Sequence, residues 1–193
     1  MKAEENEIVC PDSRGSWRTW LQEHHQVRTS VWLLYHKKHT GKPTVSWEEA
    51  VEEALCFGWI DSTKKTVDKD TFMQLFSRRK PGGTWSKINK DKIGVLKDAG
   101  LMMPAGLESV RIAMDNGAWT LLDEAEALVV PMDLRRALEA HEGAETYFDG
   151  LSRSARKMLL MWLVLAKRKE TREKRIHEIA SQAARQTRPK PFL

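Results

Sequence analysis

Beyond Thr84 the chain carries no alternating apolar and polar run of the kind that builds a half-buried strand. Any sheet must therefore be assembled from the residues before it, and the remainder of the chain must be helical. That restriction predicts an α+β, mostly helical protein, with a small antiparallel sheet lobe of about three strands and two helices followed by an all-helical lobe. With 193 residues, 41% of them apolar, the chain is long enough for one full core or for two small subdomains. The expected partition is an α/β lobe over residues 1–83 and a helical lobe over 84–193, joined in one compact domain.

Local signals fill in this outline. Trp17, Trp20, Leu21 and His24 recur at helical spacing, with Asp12, Ser13 or Ser16 available as the cap, and the helix should end near His25. Ser30 to Lys37 is β-branched and aromatic and too short for an independent helix, which makes it a strand before the loop of Gly41, Lys42 and Pro43. Ser46 and Glu49 have capping-box spacing ahead of the stripe Trp47, Ala50, Val51, Ala54 and Leu55, and Gly58 stops that helix. Two extended segments, 59–67 and 71–77, flank the polar turn Asp68, Lys69, Asp70 as a hairpin. Later helices are expected from Thr84 or Ser86 to before Gly100, from Pro104 to before Gly117, after Pro131, over Ser152 to Ala166, and over about residues 171–186. The tail from Thr187, with Pro189 and Pro191, should be loose.

Charge is arranged in blocks. Residues 62–97 hold ten Lys/Arg against three Asp/Glu, residues 121–150 two against eight, and residues 151–193 twelve against three. An acidic block thus lies between two basic ones, which suits either anionic partners or segments of the chain that attract one another. The last predicted helix carries Arg172, Lys174, Arg175 and Arg185 opposite its Ile and Ala stripe, and is read as a solvated face rather than a membrane-surface helix.

Several classes are disfavoured. The longest apolar run, nine residues from Met158 to Ala166, is far short of a bilayer span. The opening Lys2, Glu4, Glu5 and Glu7 lack an apolar signal core, so the expected compartment is the cytoplasm. Cys10 and Cys56 are distant and form no CxxC pair, and carbonyl dipoles at a helix end disfavour a Cys56 thiolate. His24, His25, His36 and His39 lack companions at metal-ligand spacing, and Ser152 and Ser154 lack a histidine base and a GxSxG elbow, so no metal, cofactor or catalytic residue is assigned.

The best candidate site is the junction between hairpin and helix, Arg78-Arg79-Lys80-Pro81-Gly82-Gly83-Thr84-Trp85-Ser86-Lys87. Glycines let backbone amides approach a ligand, a helix N-terminus offers unpaired donors, and arginine forks suit carboxylate or phosphate. The GxxxxGK[ST] spacing is absent, so nucleotide hydrolysis is not implied. Candidate ligand-binding residues are Trp59, Asp61, Arg78, Arg79, Trp85, Ser86, Lys87 and Asn89. The competing reading makes the basic run a solvated turn, Trp85 and Trp59 core residues, and Asp61 a cap or the ion-pair partner of a nearby arginine.

The stretch Glu53-Ala54-Leu55-Cys56-Phe57-Gly58-Trp59-Ile60-Asp61 resembles the hallmark of the YdeI/OmpD-associated bacteriocin-protection family. Arg78-Arg79-Lys80-Pro81, Trp85-Ser86-Lys87-Ile88-Asn89, Pro104-Ala105-Gly106-Leu107, and Ala166-Lys167-Arg168 with Glu170-Thr171-Arg172 through Arg175-Ile176 resemble its other motifs in order, over roughly residues 10–185. A longer lead-in between Pro11 and Trp17, including Gly15, departs from the pattern. The family is named for phenotypes, protection from bacteriocins or cationic antimicrobial agents and association with outer-membrane proteins. The resemblance therefore implies a non-catalytic binding or protection protein, whose partner at the basic junction would be an anionic small molecule or an acidic protein surface. Nucleic acid is the alternative partner, without a helix-turn-helix, RRM or zinc-finger motif behind it. An enzyme using Asp61 as base with Arg78 or Lys87 as charge stabilisers is the third reading.

Overall fold

A computed structural model describes residues 7–189; Lys2, Glu4 and Glu5 of the charged start and Pro191 of the tail lie outside them. The fold is α+β and mostly helical, with one small sheet. The described chain divides after Trp119 into two compact units. The loss of strand signal at Thr84 marks the end of the sheet, but two more helices come after it within the first unit.

In the first unit, strand β1 (Ile8–Val9) leads into helix α1 (Arg14–His24), strand β2 (Ser30–His36), helix α2 (Trp47–Cys56), the hairpin strands β3 (Trp59–Thr66) and β4 (Thr71–Arg78), and helices α3 (Lys87–Asp98) and α4 (Pro104–Asp115). Ser13 caps α1 and Ser46 caps α2, each in a reciprocal box, with Ser16 and Glu49 returning the second bond. Asp68 fixes the hairpin turn by accepting from the amides of Asp70 and Thr71 at 2.8 and 2.7 Å.

The sheet has the order β1-β2-β4-β3. The hairpin and the β2–β4 pairing are antiparallel, as expected, but β1 pairs in parallel with β2, which makes the sheet four-stranded and mixed. Two residues are too few to show a period, so β1 left no mark in the sequence.

One face of the sheet presents Val31, Leu33, Tyr35 and Phe76 to the core, where Trp17 of α1 meets Phe76 edge-on at 5.5 Å and donates from its indole to the Ala50 carbonyl. Each such buried aromatic side chain contributes about 1.5–3 kcal/mol of burial free energy. Glu53 of α2 is almost fully buried, which its charge permits only because Arg14 and Arg18 both reach it at 2.6 Å.

The second unit holds the short helix α5 (Asp123–Glu126), then α6 (Met132–Glu139), α7 (Ala144–Gly150), α8 (Arg153–Val164) and α9 (Lys169–Ala184). Its core gathers Leu134, Leu138, Phe148, Leu159, Leu160, Leu163 and Ile179, with Ala180 and Ala183 letting α9 approach closely. Helices α5 and α7 were not legible in the sequence, being short and flanked by other helices. Part of the charge opposition of the sequence is spent inside this unit. Asp133 takes a bidentate grip from Arg172, Glu126 pairs with Lys157, and Asp149 lies 3.8 Å from Arg156. The basic side of α9 is accordingly not all solvated, since Arg175 also donates to the Trp162 carbonyl and lies over its ring at 4.9 Å. Thr187 is tied back to Gln182 rather than loose.

Candidate functional site

Gly58 ends α2 in the left-handed conformation, φ 73°, which a side chain would strain. Directly beyond it α4 docks against the end of α2. The Met103 amide donates to the Cys56 carbonyl at 3.0 Å, and a Cβ added at Gly106 would lie 2.1 Å from that same oxygen. This close approach brings α4 beside the end of β4 and opens a cleft of about 460 Å³ within the first unit.

The cleft is lined by His25 and Gln26 after α1, Phe57 and Gly58 after α2, Arg78 to Pro81 after β4, Trp85, and Ala105, Glu108, Ser109 and Ile112 of α4. Phe57, Trp85 and Ile112 make its walls apolar, while Arg78, Arg79 and Lys80 bring three cations to it.

These cations differ in state. Arg78 uses Nε and Nη2 to hold the turn between α1 and β2, donating to the carbonyls of Arg28 and Gln26. Arg79 is stacked 3.5 Å from the Trp85 ring centroid and donates from Nη2 to the Thr84 carbonyl at 2.6 Å. Its Nε and Nη1 are buried without a hydrogen-bond partner. Burial pushes the Arg79 guanidinium down to about 10, with the Asp61 charge working the other way. Lys80 is exposed at the rim.

Glu108 is the one carboxylate among the lining residues, and Arg111 grips it with two hydrogen bonds. His25 donates from Nδ1 to the Leu21 carbonyl at 2.8 Å, since a carbonyl only accepts.

Of the eight candidates read from the sequence, Arg78, Arg79 and Trp85 line this cleft, Trp85 as a core side chain only 2% exposed, and the other five do not. Trp59 is fully buried and donates to the His25 carbonyl, a core role. Ser86 caps α3 by accepting from the Asn89 amide. Lys87 points along α3 to Asp91, at 3.0 Å.

Asp61 lies in a separate hollow with Trp47, Lys64, Phe72 and Gln74. Among the described residues it caps no helix and makes no direct ion pair with an arginine; it accepts from the Trp47 indole and the Gln74 amide, while its charge favours the Arg79 cation. Asp61, Arg78 and Lys87 therefore do not converge as base and charge stabilisers would need to. His25, Phe57, Ser109 and Ile112 were missed, having no local signal. The glycine of Pro104-Ala105-Gly106 was the trace of the α2–α4 contact that assembles them.

Cys56 is buried at the end of α2, where burial and then the Glu53 charge push its thiol up. No helix among the described residues is long and apolar enough to cross a membrane.

Residues 127–186 match the family model described as bacteriocin-protection, YdeI or OmpD-associated. Residues 9–109, more than half of the chain, match a second model described as a domain of unknown function, DUF8412. The family resemblance read across the whole chain thus narrows to the second unit. Its last motif falls inside the bacteriocin-protection match, and the four earlier ones fall inside the other. Apart from Ile112, the cleft is built from residues of the 9–109 region. No curated protein and no solved structure matches the chain.

Proposed function

We propose, from the premise that this chain belongs to the DUF8412 family and carries a bacteriocin-protection region over residues 127–186, that it is a non-catalytic cytoplasmic binding protein whose first unit holds a small anionic ligand. The observation that carries this reading is the convergence of Arg78, Arg79 and Lys80 on one apolar-walled cleft, with no ion pair to any of the three among the described residues. A guanidinium below the surface raises the electrostatic potential of a cleft more than one in water, because the local dielectric is lower.

The roles divide by accessibility. Lys80 and the remaining Nη1 of Arg78 donate hydrogen bonds to the anionic group. Arg79, whose nitrogens are enclosed, contributes charge from the cleft floor. Phe57, Trp85 and Ile112 hold an apolar body attached to the anion. The chemistry fitted is an aromatic or aliphatic phosphate or carboxylate rather than a bare inorganic ion. The bacteriocin-protection relation belongs to the second unit, and the ligand of the first unit would act on that role through the full chain.

The test is thermal unfolding of the full chain with phenyl phosphate against sodium chloride at equal ionic strength. A ligand that binds only the folded state at a hundred times its Kd stabilises by about 2.7 kcal/mol, and Tm should rise by several degrees with the phosphate alone. An equal response to both salts contradicts the proposal.

A further inference from the structure

The hollow that took Asp61 away from the anion cleft has a donor inventory opposite to that of the cleft. It measures about 370 Å³ and is formed where the start of α2 overhangs the far end of the hairpin, by Trp47, Asp61, Lys64, Phe72 and Gln74. The Trp47 indole N–H is spent on Asp61 Oδ2 at 3.0 Å. Gln74, only 5% exposed, spends its amide nitrogen on the same Oδ2 and on the Ser62 carbonyl, each at 3.0 Å. Both donors to the carboxylate meet one oxygen, so Asp61 Oδ1 and Gln74 Oε1 remain as acceptors. No ion pair neutralises Asp61 among the described residues.

The walls are aromatic. Trp47 is 51% exposed, a large ring left half in solvent although its polar end is anchored. Phe72 is held parallel to Tyr35 at 4.8 Å, and the Lys64 ammonium rests over the Phe72 ring at 4.3 Å from its centroid. A carboxylate with a free oxygen, an acceptor amide and aromatic faces recognise a cation that brings its own N–H donors. Lys64 shows that an ammonium is accommodated at the Phe72 face, and its long stem lets it leave.

We infer that the hollow bounded by Trp47, Asp61, Phe72 and Gln74 is a binding site for a small primary alkylammonium ion, with Lys64 as a tethered competitor that vacates the Phe72 face when the ligand enters. The ammonium donates to Asp61 Oδ1 and Gln74 Oε1, and the alkyl body lies against Trp47. This hollow shares no lining residue with the anion cleft, and its test is read apart from that of the cleft.

The test uses the ¹⁵N-labelled full chain with n-butylammonium chloride, and n-butanol as the uncharged control of the same shape. The readout is the indole N–H resonance of Trp47, assigned by Trp47→Phe, because that proton bonds the ligand-binding carboxylate. A saturable shift with a dissociation constant on the order of a few millimolar is expected for butylammonium and none for butanol. Asp61→Asn should weaken binding about tenfold or more. Lys64→Gln, at an exposed strand position, should tighten it about fivefold by removing the competitor. A response to butanol equal to that of butylammonium, no saturable shift, or Lys64→Gln leaving the affinity unchanged or lower overturns the assignment. The Lys64 variant reads out even if the Asp61 variant fails to fold.

Discussion

The Arg79 guanidinium lies face-on to Trp85, 3.5 Å from the ring centroid, with two of its three nitrogens sealed from water and unpartnered. A cation over a desolvated indole gains on the order of 2 kcal/mol. Leaving buried donors unpaired costs about 1–3 kcal/mol each. Against about 2–6 kcal/mol for the two donors the stacking at best breaks even, so the residue adds little net stability. Arg79→Met, which keeps the stem against Trp85 and deletes the charge, is expected to change the unfolding free energy by less than about 1 kcal/mol in urea titration. The same variant should weaken phenyl phosphate binding about tenfold or more. A large loss of stability would make Arg79 a structural residue instead.

The contact between α2 and α4 is equally specific. A methyl group at Gly106 would meet the Cys56 carbonyl at 2.1 Å and the Leu55 carbonyl at 2.8 Å, both backbone atoms that do not yield. Gly106→Ala must push α4 off α2 and open the cleft wall that carries Ala105, Ser109 and Ile112. A destabilisation of about 3 kcal/mol is expected by urea unfolding, with loss of ligand response in whatever remains folded. Gly94→Ala is the control, since nothing lies near its added methyl.

In the second unit, hydrogen bonds from Arg172 hold the Asp133 carboxyl below its ordinary range. A carboxylate with a lowered native pKa contributes stability that is fully present above the unfolded value, near pH 4, and is lost as pH falls through the native value. Thermal unfolding from pH 6 to pH 2 should show a steeper acid loss in the wild type than in Asp133→Asn, with the two curves converging at the acid end. Parallel curves would show that the bidentate pair adds nothing to folding.

Much of the fold was legible because its signals are local. Ser13, Ser46 and Ser86 cap the helices they precede, Gly58 stops α2, and Asp68 turns the hairpin, each through bonds reaching no more than four residues. The site was legible only in part for the converse reason. Arg78 and Arg79 announced themselves by charge, but their cleft is completed by His25, Phe57 and Ile112, which are far apart in the chain and meet through the α2–α4 contact. Asp61 was misplaced because the bulge between Asp61 and Lys64 and the overhanging Trp47 decide where it points, and neither has a sequence period. Ser86, Lys87 and Asn89 lie outside the cleft for a different reason. Ser86 accepts from the Asn89 amide as the cap of α3 and Lys87 pairs with Asp91, so these groups are engaged within their own helix.

Convergence of Arg78, Arg79 and Lys80 on an anion that carries an apolar body is put to the test by calorimetric titration of phenyl phosphate into the full chain at low ionic strength. Binding should be saturable at a single site, weaken as salt rises, be absent for benzyl alcohol, and fall about tenfold in Lys80→Gln, an exposed change that leaves the fold intact. No saturable heat, or binding that benzyl alcohol reproduces and Lys80→Gln leaves unaltered, would contradict that convergence.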